Sequence, residues 1–134
     1  MRNKIVAFIL IIIFASLNFA QNKISLLNIE KVNEYLELSP VQIKIINPKI
    51  EQIKTILEDD KRIISAIKER VKNDDEPGFF EKIGVKRGHD KRASKVEDLI
   101  DEIKDQLNDQ QKIKFKNIEK PELKPLKKED IFGK

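Results

Sequence analysis

The sequence predicts an all-α protein built as a long helical hairpin with short flanking helices. Three observations lead there. Charged residues make up 37% of the chain and aromatics only 6%, a balance that suits amphipathic helices better than a sheet-rich core. Isoleucine, leucine and valine recur with alternating steps of four and three over two long stretches, which is the spacing of a helical seam. A Pro77-Gly78 turn signal lies between those stretches. No stretch shows the strict alternation of a strand. At 134 residues the chain has the length of one domain, which commonly runs to about 100–200 residues.

The first twenty residues read as an address. Arg2 and Lys4 form a basic start, residues 5–17 are apolar and uncharged, and Ala20-Gln21 offers a cleavage point. Such a run is short for a membrane span and suits the apolar core of a secretory signal peptide. The division expected is therefore a signal peptide at 1–20, a helical domain at 21–120 and a mobile tail at 121–134. Loss of Arg2 and Lys4 lowers the net charge from +4 to +2. Export argues against a nucleic-acid partner. With no cysteine, the chain has no disulfide framework, no thiolate nucleophile or zinc ligand, and no site for lipoprotein acylation.

A short helix is expected over 29–38, with Ile29, Val32 and Leu36 on one side. The long helix follows from Pro40 to about Asn73. Ile46, Ile50, Ile53, Leu57, Ile64, Ile67 and Val71 form its seam, and Asp60 is the one seam position that turns polar. At 1.5 Å per residue this helix is about 50 Å long. A stripe of that length calls for a partner chain. Pro48 either kinks the helix or opens a fresh segment capped by Asn47. Residues 73–90 read as a break, with Gly84 and Gly88 as further breakers. Helical character resumes near Ala93, where Val96, Ile100, Ile103 and Leu107 repeat the spacing. A last short helix after Asn108 carries Ile113 and Ile118, and the tail from Pro121 has the composition of a mobile segment.

Two helix starts carry the most specific signal. In Leu38-Ser39-Pro40-Val41-Gln42, Ser39 can cap the amide of Gln42 while Gln42 reaches back to that of Ser39. Pro40 takes the first helical position, where no donor is needed. Leu107-Asn108-Asp109-Gln110-Gln111 repeats the scheme, with Asn108 as cap and Gln111 as the returning side chain. Each cap contributes about 1 kcal/mol.

Two Leu-[Ser/Asn]-x-x-Gln elements opening two helices of a small exported chain resemble the LTxxQ-motif family of Spy- and CpxP-like periplasmic proteins. LSPVQIKIINPKIEQI is similar to the family's first motif and LNDQQKIKF, with Phe115, to its second. Ser39 and Asn108 stand where threonine is usual, and both cap helices well. The resemblance covers about residues 35–115. It implies a hairpin paired into an antiparallel, curved dimer. It also implies an ATP-independent, holdase-type chaperone for unfolded or partly folded envelope proteins, active in the stress response. The alternative it implies is an envelope-stress or metal-responsive regulator docking on a membrane sensor kinase. The motif residues Leu38, Ser39, Gln42, Leu107, Asn108 and Gln111 are structural in either case.

Candidate client-binding residues lie elsewhere. Residues 82–95 hold Lys82, Lys86, Arg87, Lys91, Arg92 and Lys95 against Asp90 alone, a patch that would attract acidic unfolded segments. Phe79 and Phe80 follow the turn and either contact clients or plug the hairpin end, the plug being slightly favoured. Lys61, Arg62 and Arg70 lie on the long helix and can face the same cradle. His89 is the only histidine and reads as a solvated loop residue. One histidine cannot supply a transition-metal site, and Asp74-Asp75-Glu76 lacks calcium-loop spacing. With no paired nucleophile and base and no phosphate loop, neither a cofactor nor catalytic residues are expected.

Overall fold

Residues 23–132 are described by a computed structural model. The apolar run at 5–17 and the expected cleavage point lie outside the described residues. The helices are α1 (Ile29–Tyr35), α2 (Pro40–Lys72), α3 (Phe79–Asp105), α4 (Asp109–Phe115) and α5 (Lys128–Phe132). The chain is all-α, as the heptad spacing predicts.

The α2–α3 hairpin is antiparallel, as its cross-links show. Lys49 pairs with Glu102 at 2.6 Å near the base, Asp60 with His89 at 2.9 Å in the middle, and Arg70 with Glu81 at the tip. Ile46, Ile50, Ile53, Asp60 and Ile67 are buried along α2, and His89, Val96, Leu99 and Ile103 along α3. The α3 seam thus passes through Leu99 rather than Ile100, which is only partly buried. Burying one such aliphatic side chain contributes about 1.5–3 kcal/mol. Ile46, Ile50, Ile53 and Ile67 of the α2 stripe therefore find cover within their own chain, whereas Leu57, Ile64 and Val71 are only partly buried. The length of the helix alone does not require a partner, because α3 is nearly as long as α2.

That length is the largest departure from the sequence reading. The break ends at Phe79, not near Ala93, and Gly84 and Gly88 lie inside α3. A helical glycine costs about 1 kcal/mol, and packing of the α3 seam against α2 outweighs two such costs. Helix α2 likewise runs unbroken through Pro48, which excludes a fresh segment capped by Asn47. Helix α1 stops at Tyr35, and Glu37 has a φ of 51° in the turn before α2.

Leu26, Leu36, Leu38, Leu107, Phe115 and Ile118 close the core at the hairpin base. There the segment before α1 pairs with the one after α4: Leu26 N–H donates to Glu119 O at 2.9 Å and Glu119 N–H to Ile24 O at 2.8 Å. Ile118 lies beyond α4 yet is buried, whereas Ile113 is 64% exposed. The tail expected to be mobile is instead laid along the hairpin. Leu123 packs against the core, α5 contacts α2, and Ile131 is buried. Among the described residues no helix is long and apolar enough to cross a membrane.

Candidate functional site

Three places along the hairpin concentrate polar chemistry: the base, the middle and the tip. At the base both capping boxes form. Gln42 N–H donates to Ser39 Oγ at 3.2 Å and Ser39 N–H to Gln42 Oε1 at 3.0 Å. Gln111 N–H donates to Asn108 Oδ1 at 2.8 Å and Asn108 N–H to Gln111 Oε1 at 3.0 Å. The two glutamines then bond to each other. Gln42 Nε2 donates to Gln111 Oε1 at 2.8 Å and Gln111 Nε2 to Gln42 Oε1 at 3.1 Å. Their remaining protons cross over to helix ends, Gln42 to Gln106 O at 2.8 Å and Gln111 to Leu36 O at 3.1 Å. Each amide thus uses two donors and two acceptor positions. Turning either amide over would set donor against donor at its own cap. Leu38 and Leu107 are buried directly before the two caps.

The same clasp satisfies orphan groups at four helix ends, the starts of α2 and α4 and the ends of α1 and α3. Lys120 finishes the base. Its ammonium donates to Phe115 O at 2.7 Å and Ile118 O at 3.0 Å and sits 4.4 Å from the centre of the Phe115 ring. Burial, and then the charge of Lys104, lower its pKa.

In the middle lies a buried polar layer. Asp60 is 5% and His89 3% exposed. Asp60 Oδ1 accepts from Arg92 Nε at 2.8 Å and faces His89 Nδ1 at 2.9 Å. His89 Nε2 lies 2.7 Å from Lys124 O in the tail. A carboxylate and a carbonyl both accept, so only a ring protonated on both nitrogens satisfies both contacts. The expected solvated loop histidine is therefore a buried helix residue that ties α2, α3 and the tail together. Gly88 is part of this layer, because a Cβ there would lie 3.2 Å from Arg92 Nη1.

At the tip, Asn73 caps α2 and Asp74 adopts a φ of 58°. Arg70, whose side chain stays partly exposed, bonds Asp75 at 2.9 Å and also Glu81. Those bonds, Glu81 first, raise its pKa further above the ordinary arginine value. Arg92 is likewise engaged, in the polar layer. Phe79 and Phe80 are 71% and 86% exposed, in edge-to-face contact at 5.6 Å between centroids. They stand in solvent and do not plug the hairpin, whereas Pro77 before them is buried. Lys61, Arg62, Lys86, Arg87 and Lys91 are exposed, with Arg62 3.3 Å from Asp59.

The structure thus joins the six motif residues into one base and keeps two aromatic and five basic candidates at the surface. It engages Arg70 and Arg92 in ion pairs within the chain. The polar layer was missed although two signals pointed to it. Asp60 interrupts an apolar seam, and stepping back by sevens from Ile103 through Val96 reaches His89. Among the described residues no group of three or more histidines and carboxylates is placed to hold a metal ion. Comparison with known protein families, curated proteins and solved structures gives no match.

Proposed function

We propose that this chain is an exported, ATP-independent holdase-type chaperone. It would bind unfolded or partly folded envelope proteins as a homodimer and limit their aggregation. The observation that carries this reading is the exposed Phe79–Phe80 pair at the start of a helix whose next turns present Lys86, Arg87 and Lys91 to solvent. Contiguous exposed apolar surface marks interaction sites. Basic side chains beside them would steer acidic unfolded segments over distance, and the rings would hold them after contact. Two capping boxes of the LTxxQ type add support from the resemblance they carry. The chemistry used is contact and charge; no catalytic group takes part.

Light scattering of a chemically unfolded client, with this chain at stoichiometric amounts and no nucleotide, tests the reading. Scattering should fall, and the protection should weaken as salt screens the approach. Protection indifferent to salt would keep the chaperone and discard the electrostatic step. A folded chain that protects nothing would overturn the reading and favour a regulator docking on a membrane sensor protein.

A further inference from the structure

A cleft of about 430 Å³ opens between the first turns of α3 and the tail helix α5. Phe79, Ile83, Leu126 and Ile131 supply apolar lining, and Lys82, Lys86, Lys127 and Lys128 complete it. Among the described residues no acidic side chain lines it. We propose that this cleft binds a single-chain anionic amphiphile, a fatty-acid-like molecule with its alkyl chain in the trough and its carboxylate at the lysine rim.

Three observations converge on that chemistry. The volume falls within the roughly 300–1,000 Å³ of small-molecule sites. Among the described residues lysine is the only charged type in the lining, which favours an anion, and attraction between unlike charges strengthens beside apolar walls that exclude water. Lys82 is engaged by Glu76 at 2.6 Å. Lys86 and Lys128 have no carboxylate within ion-pair distance among the described side chains, and they are assigned the headgroup. Finally, the walls offer no strand edge: the uncapped start of α3 leaves only first-turn N–H groups open, and these cannot pair a peptide along its length. A peptide strand lying there would bury its own amides largely without partners, a cost of about 1–3 kcal/mol for each group. An alkyl chain carries no such groups. The cleft therefore favours an amphiphile over a peptide, and although Phe79 and Lys86 also figure in the chaperone reading, the inference does not rest on it.

The test uses the purified chain and dodecanoate below its micellar concentration, followed by isothermal titration. One-to-one binding is expected, at least tenfold tighter than for uncharged dodecyl maltoside. Lys86→Glu combined with Lys128→Glu, both at exposed positions, should weaken dodecanoate at least tenfold while leaving the helical circular dichroism unchanged. Leu126→Asp, on the tail wall, should do the same from the apolar side. Equal affinity for dodecanoate and the neutral detergent would overturn the proposal, as would a double variant that binds like the parent. Vesicles of anionic phospholipid separate the sources: a free amphiphile predicts no vesicle binding, and vesicle binding abolished by the double variant would reassign the cleft to a membrane surface. Displacement of dodecanoate by an acidic apolar peptide at equal concentration would likewise overturn the amphiphile in favour of a peptide.

Discussion

At the base of the hairpin, Gln42 and Gln111 complete two caps and then satisfy each other, leaving their amides with full sets of partners. At the tip, α3 starts at Gly78 with no side-chain cap, and two phenylalanines stand in solvent. The base closes and hides its polar groups. The tip leaves backbone donors and apolar rings exposed. Both ends reverse the chain between helices, so the difference is not one of topology. It separates a part that stabilises the fold from a part free to touch something else, and local stability is expected to fall from the first to the second.

The polar layer between them bears on this contrast most strongly. Asp60→Ala leaves buried His89 and partly buried Arg92 without their carboxylate, and urea unfolding should show a loss of about 3–5 kcal/mol. Replacing Asp60, His89 and Arg92 together by leucine should recover most of that loss. The layer then acts in register and in anchoring the tail rather than in stability, and limited proteolysis near Lys124 should reveal a looser tail. If Asp60→Ala unfolds at the parent's urea concentration, the layer is not a structural divide.

The base comes next. Gln111→Ala strips a donor from Leu36 O and an acceptor from Asn108 N–H, and a loss of about 2 kcal/mol is expected for buried groups left unpaired. A double-mutant cycle with Gln42→Ala should return a coupling of about 1–2 kcal/mol, within the range of residues in one network. Strict additivity would mean that the caps act independently and that their bonding to each other contributes little.

The two helical glycines give a finer comparison. Nothing lies within 4 Å of a Cβ at Gly84, whereas one at Gly88 meets Arg92 Nη1 at 3.2 Å. Gly84→Ala should stabilise by about 0.5–1 kcal/mol through helix propensity. Gly88→Ala should gain less, or lose, and the gap between the two melting shifts measures how firmly Arg92 is held. The smallest effect on stability belongs to the tip. Phe79→Ser with Phe80→Ser should change unfolding by no more than about 0.5 kcal/mol while reducing aggregation suppression. A large destabilisation would show that the rings support the hairpin after all.

Much of the base was legible because capping is local. Ser39 and Gln42, and Asn108 and Gln111, are three residues apart, and one helical turn brings them together whatever the rest of the chain does. Their clasp was not legible, since Gln42 and Gln111 are 69 residues apart in sequence and meet only because the hairpin closes. Asp60 was visible as an interruption, but its partner was hidden by Gly84 and Gly88. These residues weaken a helix in isolation and are carried through it by packing.

By itself, then, the sequence determined the helical class, the seam of α2, the capped starts of α2 and α4 and the turn at Pro77-Gly78. Those features follow from spacing and from bonds between near neighbours. Only the tertiary structure decided that α3 begins at Phe79, that His89 is buried, that Arg70 and Arg92 are engaged, and that the tail is packed. Each of those depends on burial and charge pairing between segments distant in sequence, whose energies exceed the local propensities that point the other way.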